Sequence, residues 1–93
     1  MTKRRKQIQP QMGVEKAFGQ AMRKARNKLK ISQMKLEKAT GLDRTFISDL
    51  ERGIQGPSLV TVFRVAKGLE MDAWALIQDT ANSPLFVLPS DDR

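Results

Sequence analysis

A chain of 93 residues has room for one small core, and 17 Lys and Arg against ten Asp and Glu give it a net charge of +7. That surplus points to a polyanionic partner, either nucleic acid or an anionic membrane surface. With no cysteine and no histidine, disulfides, thiolate or imidazole metal sites and His-based catalysis are excluded, so no enzyme activity and no cofactor are expected. No apolar run approaches the length of a bilayer span, and the basic start leads into Gln, Pro and Gly rather than a signal segment. A cytoplasmic protein without a membrane partner is the expectation.

Residues 1–13 carry Lys3, Arg4, Arg5 and Lys6 in a row. Nothing there can bury a face, which predicts a disordered basic arm. Such an arm either neutralises phosphates and reaches into a minor groove, or is a solvated terminus that aids solubility. From Val14 to about Lys30, Val14, Phe18, Ala21, Met22, Ala25 and Leu29 recur at helical spacing. The opposite face is basic, with Arg23, Lys24, Lys28 and Lys30.

Ser32 is placed to cap a second helix. Together with Lys35 it makes a Ser-x-x-Lys spacing known from penicillin-recognising enzymes, but the chain is far too short for that fold and the companion motifs are absent. Gln33 follows, where a side-chain amide and free first-turn N–H groups can meet a phosphate oxygen. Leu36 and Ala39 are expected to point inwards, with Met34 at the edge. Gly41 ends the helix, Leu42 fills the corner, and Asp43 caps a third helix that runs to about Arg52 and stops at Gly53.

At about 100° per residue, Arg44, Thr45, Ser48, Asp49 and Arg52 fall on one side of that helix, and Phe46, Ile47 and Leu50 on the other. A helix held by one face and presenting the other fits the major groove of DNA, where each base pair shows its own donor and acceptor pattern. Arg44 can pair with guanine O6 and N7, Thr45 can set its methyl on a thymine methyl, and Ser48 can donate or accept. Asp49 either accepts from cytosine N4 or pairs with Arg52 along the helix. Phe46 belongs to the core or to the rim against sugar and backbone.

After a loop at Ile54–Pro57, Ser58 caps a fourth helix with an apolar stripe of Leu59, Val62, Phe63, Ala66 and Leu69, expected to be core. Asp72 starts a fifth, in which Trp74, Leu76 and Ile77 exceed what one buried face needs and imply a partner surface. In the tail, 80–93, the run Leu85, Phe86, Val87, Leu88 either folds back over the core or pairs with its copy in a second subunit. Pairing with the copy is favoured.

Between Val14 and Ile77 the chain resembles the helix-turn-helix family of phage Cro and repressor proteins. The resemblance rests on Ser32-Gln33, Leu36, Gly41, Ile47, Leu50-Glu51-Arg52-Gly53 and Pro57-Ser58. Gly41 to Ser48 is especially similar to controller proteins of restriction–modification systems. The resemblance implies an all-α, five-helix bundle over residues 14–79 that binds a palindromic operator in double-stranded DNA as a homodimer, as a repressor or autoregulator. By position it implies base reading by Arg44, Thr45 and Asp49 with Ser48 nearby. Gln33 matches a phosphate contact, Arg52 a backbone contact, and Arg26 with Glu51 a partly buried ion pair; Ser32 and Phe46 are further expected phosphate and backbone contacts from their positions on the helices. Phe63, Trp74, Ile77, Leu85, Phe86 and Val87 are the expected dimer contacts, which would set two third helices about 34 Å apart. RNA polymerase is a further expected partner if the regulator also activates. The alternative is an antitoxin, whose tail would become ordered on a toxin protein. One departure stands out: Glu37 occupies a position where the family has a small Ala, so that its side chain must bend outwards or the helix crossing must shift.

Overall fold

Caps decide where most of the helices begin. In a computed structural model, which describes residues 12–89, α1 spans Val14–Leu29, α2 Gln33–Thr40, α3 Arg44–Glu51, α4 Leu59–Gly68 and α5 Ala73–Ala81. The hydroxyl of Ser32 accepts from Lys35 N–H at 3.0 Å, the carboxylate of Asp43 from Thr45 N–H at 3.0 Å, and the hydroxyl of Ser58 from Thr61 N–H at 3.1 Å. Each such bond is worth about 1 kcal/mol. Asp72 opens α5 without a side-chain bond. Gly41, at φ 77°, ends α2 in the left-handed conformation that lets α3 turn away sharply. Lys30 adopts the same conformation at φ 59°, so α1 stops at Leu29.

α1 packs on α3 and α5, α2 on α3 and α4, and α4 on α5. Met22, Leu36, Ile47, Leu50, Val65 and Leu76 are fully buried where these helices meet. Several expected core positions differ. Leu29 lies exposed in the last turn of α1, and Ala39 is exposed on α2 while Thr40 is buried in its place. The Thr40 hydroxyl donates to Leu36 O and accepts from Leu42 N–H, so its burial leaves no polar atom unsatisfied. On α4 the buried face is Val62, Val65, Ala66 and Leu69, with Leu59 and Phe63 exposed. α4 packs mainly on α2 and α5, and Leu59, Val60 and Phe63 on its other side stay exposed.

α5 continues to Ala81, and the Thr80 hydroxyl donates to Leu76 O. Beyond Asn82 the chain turns back onto α1. Gly13 N–H donates to Leu85 O at 2.8 Å, and Ser83 donates to the Gln20 side chain. Leu85 and Phe86 are thereby half-buried against their own chain, while Val87 and Leu88 stay exposed. The basic arm with Lys3, Arg4, Arg5 and Lys6 lies outside the described residues, apart from its root at Met12 and Gly13.

Two glycines allow the central helices to approach closely. A Cβ on Gly19 would stand 2.5 Å from the backbone carbonyl oxygens of Leu50 and Glu51, and one on Gly68 2.5 Å from Thr40 Cγ2. At Gly19 the obstacle is the backbone of α3, which no rotamer change can clear. Gly19→Ala is therefore expected to lower stability by about 1–3 kcal/mol despite the better helix propensity of Ala. Urea denaturation measures this, and an unchanged midpoint would contradict the close packing of α1 on α3.

Candidate nucleic-acid interface

The site is built around a carboxylate with no exposed surface. Glu51, the last residue of α3, takes Arg26 Nε on Oε2 at 2.6 Å and Arg26 Nη2 on Oε1 at 3.0 Å. Gln33 Nε2 also donates to Oε1, at 3.0 Å, and Arg23 Nε stands 3.6 Å away. Arg26 uses its remaining Nη1 on Ile31 O at 2.9 Å. One carboxylate thus joins α1, the start of α2 and the end of α3. Burial pushes the Glu51 carboxyl up, but the hydrogen bonds from Arg26 and Gln33 and the nearby guanidinium charges outweigh it and hold the group below its ordinary value. The bond to Glu51 raises Arg26 in turn, against the opposing effect of burial.

With its end fixed, α3 shows two faces. Ile47 and Leu50 have no exposed surface, and Phe46 is partly buried against the core. Arg44, Thr45 and Arg52 are exposed, and Ser48 and Asp49 are half-buried. Asp49 Oδ2 accepts from Gln55 Nε2 at 3.3 Å and its Oδ1 lies 3.8 Å from Arg52 Nη1. At the same end of the helix, Lys16 Nζ donates to Arg52 O at 2.7 Å. No periodicity or motif marks Lys16 or Gln55, because the first depends on how α1 lies against the end of α3 and the second on the course of the loop after it.

Gln33 turns its amide inwards to Glu51. What it offers outwards is main chain: the N–H groups of Gln33 and Met34 have no acceptor among the described residues, and the exposed Ser32 lies beside them. Glu37 is half-buried, and its Oε2 accepts from Arg44 N–H at 3.2 Å. On the far side, Phe63, Trp74 and Ile77 are exposed on α4 and α5, along with Leu59 and Val60. Among the described residues no group of acidic side chains could hold a metal ion, and no helix is long and apolar enough to cross a membrane.

Two short helices at a tight turn, the second buried on one face and open on the other, match the model of a helix-turn-helix family over residues 22–73. The chain belongs to this helix-turn-helix family. As a helix-turn-helix protein it is similar to the control protein C.BamHI of Bacillus amyloliquefaciens, at 39% identity over 64 residues covering 68% of this chain and 79% of the relative. It is also 34% identical over 84 residues to an HTH-type transcriptional regulator, y4dL, of Sinorhizobium fredii. That match covers 80% of this chain but only 43% of the relative. Among solved structures it resembles the restriction–modification controller protein C.Esp1396I, crystallised as a tetramer in complex with its natural 35 base-pair operator. The TM-score is 0.65 at 25% identity, covering 74% of this chain and 96% of that one.

The lowered carboxyl of Glu51 makes a stability prediction with a definite sign. Its contribution is fully present above the ordinary carboxylate range and is lost as pH falls through the lower, folded value. Glu51→Gln strips Arg26 of its counter-charge and should cost about 2 kcal/mol or more at neutral pH. It should also lose less stability than wild type between neutral pH and about pH 3. Denaturation at a series of pH values checks both, and parallel acid limbs would contradict the pairing.

Proposed function

We propose that this helix-turn-helix protein is a sequence-specific transcriptional regulator that binds a palindromic operator as a homodimer, with one α3 in each of two successive major grooves. The observation that carries this is the exposure of Arg44 and Thr45 at the leading end of a helix whose other face buries Ile47 and Leu50 completely and Phe46 in part. Arg44 then addresses guanine O6 and N7, and Thr45 a thymine methyl. Ser48 serves either sense of hydrogen bond, and Asp49 leaves Gln55 to accept from cytosine N4. Ser32 and the free N–H groups of Gln33 and Met34 take a phosphate at the start of α2. Arg52 and the exposed edge of Phe46 lie against the sugar-phosphate backbone, and the basic arm adds salt-sensitive affinity.

Exposed Phe63, Trp74 and Ile77 supply a twofold contact, extended by Val87. Occupancy of the operator suffices to exclude polymerase, so the regulator acts as a repressor or autoregulator in the cytoplasm. The likeness to the control protein C.BamHI and to the restriction–modification controller protein C.Esp1396I supports a controller role in a restriction–modification system. An antitoxin would keep its tail free for a toxin, whereas Leu85 and Phe86 are docked on their own chain. No catalytic role is assigned to the Ser-x-x-Lys spacing, whose Ser32 hydroxyl accepts from Lys35 N–H as the cap of α2.

The test starts from duplexes that the wild-type chain enriches out of a random pool. Arg44→Ala should reduce discrimination at one base pair per half-site by about 1–3 kcal/mol in a competition titration. Unchanged selectivity removes Arg44 from the readers. Trp74→Ala should weaken the dimer by about 2 kcal/mol, seen in sedimentation as monomer at micromolar concentrations where wild type is dimeric. An intact dimer contradicts the assigned interface.

A further inference from the structure

The two ends of α3 are held very differently. The trailing end has buried Ile47 and Leu50, the Glu51 network, the backbone contact at Gly19 and the Lys16 bond to Arg52 O. The leading end, which carries Arg44 and Thr45, has partly buried Leu42 and Phe46 and two carboxylate bonds. The bond from Thr45 N–H to Asp43 is local and travels with the helix. The bond from Arg44 N–H to Glu37 Oε2 does not, because Glu37 belongs to α2. Among the described residues it is the one hydrogen bond that ties the body of α2 to the leading turn of α3.

We propose that Glu37 is a specificity-determining positioning residue, which fixes the angle at which α3 presents Arg44 through its bond to the Arg44 main chain. The inference rests on the assignment of α3 to operator reading. Arg44 stands six residues ahead of the Leu50 anchor, about 9 Å at the rise of a helix. A swing of about 10° about that anchor displaces it by more than 1 Å, beyond the tolerance of a bidentate pair. The carboxylate has a second effect. With Glu37 and Asp43 occupying the N–H groups of Arg44 and Thr45, this helix end cannot accept a phosphate as the start of α2 can. Docking in a shifted register, with a backbone phosphate on the leading turn, is disfavoured, and the base edges remain as the partners of this end. A small Ala at this position would supply neither effect.

The experiment uses the full chain, the wild-type-enriched duplex, the same duplex altered at the base pair assigned to Arg44, and an unrelated duplex. Glu37→Ala should lower discrimination at that base pair about fivefold, through loss of a cap bond, while affinity for the unrelated duplex stays level or rises as a negative charge leaves the surface. Glu37→Gln, whose amide oxygen still accepts from Arg44 N–H, should recover most of the discrimination. Glu37→Asp keeps the charge but falls short of Arg44, and should show the loss even if the Ala variant folds poorly. A merely structural role would weaken binding to all duplexes in step with the melting temperature, and that pattern overturns the proposal. If wild type is selective and Glu37→Ala keeps its full discrimination, this inference alone fails. If wild type enriches no duplex, the operator assignment fails and takes this inference with it.

Discussion

A carboxylate cannot be sealed inside a protein without partners, and Glu51 shows what satisfying that requirement does to a fold. Its two oxygens are shared among Arg26 from α1 and Gln33 from α2, with Arg23 close by. Pairs of this kind add little net stability over an apolar core, since desolvation consumes most of the attraction. Their effect is geometric. Three helices must meet in one arrangement for the charge to be tolerated, and the end of α3 is fixed as a result.

Orientation of α3 then follows from contacts along its length. Gly19 lets α1 lie against the α3 backbone, Gly68 lets α4 close on α2, and Ile47 and Leu50 fill the space beneath. What remains for solvent is the row of Arg44, Thr45, Ser48, Asp49 and Arg52, with the free N–H groups of α2 close to the same network. The exposed row of α3 and the start of α2, to which the proposed function gives base reading and phosphate anchoring, are thereby both referred to the buried Glu51. The apolar surface that α4 and α5 leave uncovered lies away from this row and, in the proposed function, joins two copies.

Much of this is legible in the sequence because it depends on local rules. Ser32, Asp43 and Ser58 announce three helix starts, Gly41 announces the turn, and the wheel of α3 separates its two faces without any tertiary information. Features that depend on which helix covers which are less accessible. Periodicity gives α4 a stripe including Leu59 and Phe63, but only the packing of α2 and α5 determines that Val65 is inside and those two are outside. Thr40 is buried through hydrogen bonds that no pattern of apolar residues reports. The tail's return to α1 rests on a main-chain bond between Gly13 and Leu85 and a side-chain bond between Ser83 and Gln20, 63 residues apart, and no local pattern reports either. Gln33 illustrates a subtler limit: its place at the start of α2 is evident from the motif, whereas the inward turn of its amide depends on the buried charge 18 residues later.

The central claim is that two copies of α3 occupy the major groove on one face of a duplex. Methylation interference on an enriched duplex tests it directly, because guanine N7 lies in the major groove and adenine N3 in the minor. The account predicts two clusters of guanine interference related by a dyad and separated by about one helical turn, roughly 34 Å. A single unsymmetrical cluster, or interference confined to adenine N3, would contradict it.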